Sequence, residues 1–305
     1  MRAVVLGGNG FIGSHVVDAL QKDGHDVTVF DRAMERYRDP LPGVDYMLGD
    51  FSDKMTLAEA LHGKDVVFHL VSTTFPGTAN LDPKADVTSN LIGTLSLVET
   101  MTSLGIKRLV YLSSGGTVYG PAPSHPIPED YPLSPINSYG IVKVAIERYL
   151  AMYRATQGLQ PVAIRAANPY GPRQGHTGAQ GVVATFLRNV RDGQPIEIWG
   201  DGKVVRDYLH VSDLAALCVT AGKSDFCGAL NAGSGRGHSL LELIEALSDV
   251  SGQQIAPNFK PGRQIDVPYS VLDITRAHEV LGWTPATEFR EGLRETWDWV
   301  RQSRA

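Results

Sequence analysis

The sequence predicts an α/β protein, a doubly wound parallel sheet with a smaller α/β lobe appended. Three observations predict it. Short β-branched runs alternate with helical stretches over the first 170 residues, and a glycine run lies where the first strand meets the first helix. After Pro172 the chain breaks into shorter elements separated by Gly- and Pro-rich turns.

Residues 3–6, 26–30, 44–48, 66–70, 109–112 and 162–164 read as strands. Their apolar residues run nearly unbroken, which means burial on both faces, the mark of a parallel sheet. Residues 11–22, 54–61, 86–103 and 139–156 carry helical spacing, and the alternation implies right-handed crossovers. Residues 1–170 are therefore expected to form one domain and 171–305 the second lobe, with 207–221 returning to the first. Residues 257–267 are expected as loop, and 288–301 as a closing amphipathic helix.

The composition narrows the function classes. With 28 basic and 33 acidic residues the formal charge is −5, and no basic run or basic helix face stands out, so neither nucleic acid nor an anionic membrane is an expected partner. A phosphorylated substrate would have to be met locally by a few arginines. Cys218 and Cys227 form no CxxC pair and no His/Cys cluster at metal spacing, so no metal is expected. A strand already at residues 3–6 leaves no secretory leader, and no apolar run nears the roughly 18 residues that span a bilayer. A cytoplasmic protein with reduced thiols is the expectation.

In Gly7-Gly8-Asn9-Gly10-Phe11-Ile12-Gly13 each glycine has its own reason. Gly7 permits the tight turn, Gly10 lets backbone approach a pyrophosphate, and Gly13 lets helix and strand pack closely. The helix start at Phe11 and Ile12 offers free N–H groups and a partial positive charge to phosphates. Asp31 ends the second strand about 20 residues beyond the glycines, where a carboxylate accepts from the adenosine ribose hydroxyls. A 2′-phosphate would be repelled there, which favours NAD over NADP, although the adjacent Arg32 is the type of residue that receives such a phosphate. Asp50 and Phe51, after the third strand, are candidates for the adenine amino group and face.

Tyr139 and Lys143 are four residues apart on a predicted helix and so share one face. A free phenol titrates near pH 10 and is a poor base at neutrality. A neighbouring ammonium and an oxidised nicotinamide favour the phenolate and bring it nearer working pH.

These motifs occur together and in order with Leu112-Ser113-Ser114-Gly115-Gly116-Thr117-Val118-Tyr119-Gly120, Asn168-Pro169-Tyr170-Gly171-Pro172-Arg173 and Arg206-Asp207-Tyr208. The set resembles the extended short-chain dehydrogenase/reductases of the NAD-dependent epimerase/dehydratase type, and within them the UDP-glucose and UDP-N-acetylglucosamine 4-epimerases. The resemblance runs through Leu281-Gly282-Trp283-Thr284-Pro285. It implies a Rossmann sheet and a homodimer joined through the helices at 86–103 and 139–156. It also implies a reaction in which Tyr139 takes the proton of the sugar 4-hydroxyl while C4 gives hydride to NAD. The 4-keto sugar then turns and is reduced on its other face. Lys143 would also bind the nicotinamide ribose, and Leu70, Ser72 and Asn90 would lie on the cofactor side.

One position departs from the family. Where the pattern carries Ser or Thr, four residues before Tyr119, this chain has Gly115. Ser114 or Thr117 is the substitute donor, Thr117 being preferred, with an ordered water as the remaining route. Relatives that eliminate water or carbon dioxide place carboxylates in this segment. Gly116 and Thr117 stand there instead, which speaks against both reactions.

On the substrate side the resemblance assigns Asn168, Arg206 and Arg263 to a diphosphate, Asp266 to the uridine ribose, and the backbone around Trp199 to the base. Two planar guanidiniums give an acidic protein the local charge that such a ligand needs. Ser270 falls where related epimerases carry a bulky or a small residue. A serine leaves room for a 2-acetamido group, so UDP-N-acetylhexosamines are expected to fit as well as UDP-hexoses. His69 and His176 are given no role. Two other readings remain: a nucleotide-sugar 4-keto reductase that releases its dinucleotide each turnover, and a non-catalytic dinucleotide-sensing protein.

Overall fold

The structure is a computed structural model and describes residues 1–122, 126–175, 181–262 and 267–303. The chain opens with β1 (Arg2–Leu6), α1 (Phe11–Lys22), β2 (Asp26–Asp31), β3 (Val44–Leu48), α2 (Lys54–Leu61) and β4 (Val66–His69). There follow α3 (Pro83–Asp86), a π-helical stretch (Val87–Ile92), α4 (Gly93–Ser103), β5 (Arg108–Ser114), α5 (Ser138–Gln157), β6 (Gln160–Ala166) and β7 (Asn168–Tyr170). The remainder is α6 (Val182–Arg191), β8 (Glu197–Trp199), β9 (Val205–His210), α7 (Val211–Lys223), β10 (Gly228–Ala232), β11 (Gly237–Ser239), α8 (Leu240–Ser251), β12 (Asn258–Lys260), β13 (Tyr269–Ser270), α9 (Thr275–Leu281) and α10 (Phe289–Gln302).

Seven strands form the main sheet in the order β10-β6-β5-β4-β1-β2-β3, every neighbour parallel. The order reverses between β1 and β4, which opens a crevice at their carboxyl ends where ligands of such sheets bind. Burial on both faces is visible in β1 itself. Ala3 and Val5 join the core layer of Val16, Val17, Leu20, Leu214 and Leu217, whereas Val4 and Leu6 join that of Leu57, Leu97, Met101, Val142 and Ile146. α7 packs on α1 under the first layer, and α4 packs on α5 under the second.

The six sequence-predicted strands all lie in this sheet. The seventh, β10, was not read as a strand; glycine, asparagine and alanine dilute its apolar pattern, and only its register with β6 identifies it. The helix expected over 86–103 is broken into α3, the π-helical stretch and α4, because a π turn inserts one residue per turn and no periodic pattern marks it. Inside the expected loop at 257–267, β12 pairs with β8. Beyond the sheet, α6, α8 and α10 enclose a third core of Phe186, Leu187, Leu243, Leu247, Leu293 and Trp297.

Caps fix the helix that matters most. α5 starts at Asn137, whose side chain accepts from the Gly140 N–H, and ends at Gly158, whose positive φ of 71° completes the left-handed cap.

Candidate active site

The glycine turn sits at the carboxyl end of β1. Gly7 has a φ of 81°, and its N–H donates to the Phe30 carbonyl of β2 at 2.9 Å. Such a φ is costly for any side chain but glycine's. A Cβ on Gly13 would overlap the Gly7 carbonyl oxygen and lie 2.8 Å from Gly8 Cα, so helix and turn are in backbone contact. No side chain caps the first turn of α1, so its leading N–H groups are left without a side-chain acceptor.

Asp31 is placed beside this turn. Its Oδ2 accepts from the Asn9 N–H at 3.1 Å and its Oδ1 from the Arg32 N–H at 2.7 Å. Asn9 in turn donates from Nδ2 to the Ala33 carbonyl, so it braces turn and carboxylate together. Asn9 was missed in the sequence because an x position between two glycines carries no pattern of its own. The uncapped helix start, the glycine contacts too close for a Cβ and the braced carboxylate fit a dinucleotide.

Leu70 closes the turn from the β4 side, with its N–H on the Leu6 carbonyl. Asp50 is exposed, and its bonds to the Ser52 hydroxyl and N–H hold the carboxyl below its usual range. Phe51 behaves otherwise than expected. Its ring is buried, stacked on His69 at 5.0 Å and pressed toward Gly93, so the ring belongs to the core. Asn90 is likewise engaged within the protein. Its Nδ2 donates to Thr73, Thr74 and Asp86, and its Oδ1 accepts from the Thr73 N–H.

Tyr139 and Lys143 come together on one face of α5. The Lys143 Nζ is 5.4 Å from the Tyr139 ring and 4.8 Å from that of Tyr111, and it donates to the Leu112 carbonyl at 2.7 Å. Burial pushes the ammonium down to about 8, against the upward pull of Glu147 and Asp86. Burial pushes the Tyr139 phenol up to about 12; Asp86 adds to the rise, and a hydrogen bond with Ser72 opposes it. Without a further positive charge the phenol is therefore the proton-bearing form.

The structure explains the glycine at 115. A Cβ there would lie 2.5 Å from Leu272 Cδ1 and 2.9 Å from the Arg165 carbonyl oxygen, which leaves no room for a hydroxyl. Of the two substitutes, Thr117 lies against the start of α5, its carbonyl 2.9 Å from where a Gly140 Cβ would be, and its Oγ1 is buried without a partner. Ser114 caps the following turn with its carbonyl, accepting from Val118 at 3.2 Å. Ser113 is committed to Glu147 at 2.5 Å, and Glu147 pairs with Arg165 at 2.7 Å.

The chain as a whole is similar to known proteins. The model of the NAD-dependent epimerase/dehydratase family matches residues 3–233. The chain belongs to this family. A UDP-glucose 4-epimerase of Mycolicibacterium smegmatis is 38% identical over 99% of both chains. The solved UDP-glucose 4-epimerase of Thermotoga maritima, with UDP-glucose, is 36% identical, covers 99% of both chains and superposes with a TM-score of 0.94. The UDP-N-acetylglucosamine 4-epimerase of Methanobrevibacter ruminantium, in complex with UDP-N-acetylmuramic acid, is 30% identical and gives a TM-score of 0.92 over 98% of this chain and 97% of that one.

In the sheet of β7, β9, β11 and β13, Arg206 of β9 donates to the carbonyls of Val205 and Val267. Ser270 of β13 stands directly beside Arg206 in register and is nearly buried. Asn168 donates to the Asp207 carbonyl at 2.9 Å, and Trp199 is partly exposed on β8. Arg263, Asp266 and His176 lie outside the described residues. Sequence reasoning also passed over Asp86, a carboxylate with no exposure at all; its signal was the polar row Asp86, Asn90 and Thr94 at four-residue spacing, followed by the apolar inner positions Leu97, Val98 and Met101.

Proposed function

We propose that this protein is a UDP-sugar 4-epimerase that retains NAD and converts a UDP-hexose or UDP-N-acetylhexosamine through a 4-keto sugar. The observation that carries the reading is the Tyr139–Lys143 pair on one face of α5, the lysine buried and the tyrosine half-buried. Bound NAD would supply hydride-transfer chemistry at C4, taking up and giving back the same hydride, so the reaction would be redox-neutral.

The chain's own residues do the rest. Gly7, Gly10, Phe11, Ile12 and Gly13 hold the pyrophosphate, and Asp31 the adenosine ribose. Asp50, Phe51 backbone, Leu70 and Ser72 line the remaining cofactor path. Lys143, fixed by the Leu112 carbonyl, keeps positive charge beside Tyr139. Tyr139 takes the 4-hydroxyl proton and later returns it. Thr117, with its unpartnered hydroxyl, orients the 4-oxygen in place of the family serine. Asn168, Arg206 and Arg263 take the diphosphate, Asp266 the uridine ribose and the Trp199 backbone the base. Ser270, small and beside Arg206, leaves space for a 2-acetamido group.

Residues up to about 170, together with α7 and β10, form the cofactor-binding unit, and the chain around α6, α8 and α10 the substrate lobe. The exposed apolar side chains Ile92, Ile141, Tyr149 and Met152 on the α4–α5 side support a homodimer through these helices. Among the described residues no helix is long and apolar enough to cross a membrane, and a cytoplasmic location agrees with two free cysteines.

Incubation of the purified protein with UDP-Glc, UDP-Gal, UDP-GlcNAc and UDP-GalNAc, separately and without added NAD(H), tests this. Interconversion of at least one 4-epimer pair is expected. Turnover only with stoichiometric consumption of NAD(P)H would replace the epimerase by the keto-reductase reading.

A further inference from the structure

We propose that Asp86 is a positioning residue, holding Ser138, and with it the Tyr139 phenol, against the Thr73–Thr74 segment that follows β4. The inference rests on the reading of Tyr139 as the proton carrier.

Asp86 is fully buried, and three side-chain donors converge on its carboxylate. Thr74 Oγ1 donates to Oδ1 at 2.7 Å, Asn90 Nδ2 to the same oxygen at 2.9 Å, and Ser138 Oγ to Oδ2 at 2.7 Å. A buried carboxylate persists only where such donors replace water. Ser138 is the first residue of α5 and the immediate neighbour of Tyr139; its N–H is also held, by Asn80 Oδ1 at 2.8 Å. On the other side Asn90 binds Thr73 and Thr74 as well as Asp86. The carboxylate thus ties its own segment, the end of α3, to the loop after β4, 12 residues earlier, and to the start of α5, 52 residues later. The π-helical stretch begins at the next residue, and such stretches often mark functional positions where a helix must aim side chains off the regular α spacing.

The location also has an electrostatic consequence. The titratable groups around the phenol are Asp86 from α3, Lys143 from α5 and Tyr111 from β5, and Ser72 hydrogen-bonds it. Among the charged groups Asp86 alone opposes the phenolate. It therefore balances Lys143 and lets Tyr139 give the proton back in the second half of the reaction.

Two variants of the holoprotein separate tether from charge. Ser138→Ala removes the link and keeps the carboxylate. Amide exchange at residues 138–141 should accelerate about tenfold, and kcat should fall by a similar factor with KM and the acid limb of the kcat–pH profile unmoved. Asp86→Asn should loosen the same amides and also move the acid limb to lower pH by about one unit, because the charge that disfavours the phenolate is gone. Wild-type exchange rates at 138–141 in both variants would overturn the proposal, as would an acid limb that stays in place in Asp86→Asn. If Asp86→Asn does not fold, exchange and the kcat/KM split in Ser138→Ala decide alone. If the wild type converts none of the four UDP-sugars, the epimerase reading fails, while exchange at 138–141 still tests whether Asp86 holds the helix start.

Discussion

Gly13→Ala places a methyl group where the structure has backbone. Two opposed effects follow. Within a helix alanine is favoured over glycine by about 1 kcal/mol. Against this, the new Cβ overlaps the Gly7 carbonyl oxygen and sits 2.8 Å from Gly8 Cα. Overpacking costs about 1–3 kcal/mol, and because the obstacle is backbone on both sides, with no side chain able to swing away, the upper figure applies. The net penalty is about 2 kcal/mol, or roughly 30-fold. It falls on folding if turn and helix stay together, or on NAD affinity if they separate. Differential scanning calorimetry of the apoprotein and calorimetric titration with NAD measure the two shares, whose sum is the quantity at issue. Gly116→Ala is the matched control, since a Cβ there meets nothing within 4 Å, and it should change neither the melting temperature nor NAD affinity. A Gly13→Ala protein with wild-type melting and wild-type NAD affinity would refute the account of the turn.

Thr117→Ala should lower kcat about 10- to 100-fold while leaving NAD bound, as expected for a lost hydrogen bond to a reacting oxygen, and Thr117→Ser should restore most of it; steady-state kinetics on the preferred sugar pair reads both. Glu147→Gln breaks a buried ion pair that also holds Ser113, and urea denaturation should show a loss of about 3–5 kcal/mol. Burial pushes His15 and His69 down to about 3, with Arg173 and Lys143 respectively adding to the effect. The unfolded chain binds a proton at each near pH 6.5, so stability is intact above that pH and falls as pH drops from about 6.5 toward 3. Urea midpoints across this range should be less pH-dependent in His69→Gln than in the wild type; equal dependence would contradict the burial argument.

How far the sequence could be read follows from what each element depends on. Strands 3–6 and 66–70 are legible because both faces are apolar, and the glycine turn because its constraint is local to seven residues. β10 was not legible: Gly228, Asn231 and Ala232 look like loop, and Asn231 is in the sheet because Glu129, Tyr119 and the carbonyls of Ile127 and Asp273 satisfy it from elsewhere. The same limit applied at Phe51 and Asn90. Their residue types suit a ligand, yet the ring of one is claimed by His69 and the amide of the other by Asp86. Competition among partners distant in sequence decides such cases. Gly115 is the converse. Its departure from the family pattern was visible at once, but the cause, Leu272 packed across it, lies 157 positions further on.

The state of the Tyr139–Lys143 pair ties fold to chemistry. With the lysine near 8 and the phenol near 12, the protein alone holds an ammonium beside a neutral phenol at pH 7. Neither is a base there. Lys143 cannot by itself bring the phenol into range, because burial and Asp86 both act against it. On the proposed mechanism the missing positive charge is that of an oxidised nicotinamide, so the base should exist only in the NAD form and vanish on reduction, which is also when Tyr139 would hold its proton. Absorbance at 295 nm, taken as the wild type minus Tyr139→Phe difference, should show no ionisation below about pH 10 in apoprotein and one near neutrality with NAD bound. A Tyr139-dependent ionisation near pH 7 in apoprotein would show that the chain supplies the base unaided, and the coupling between oxidation state and proton transfer would have to be abandoned.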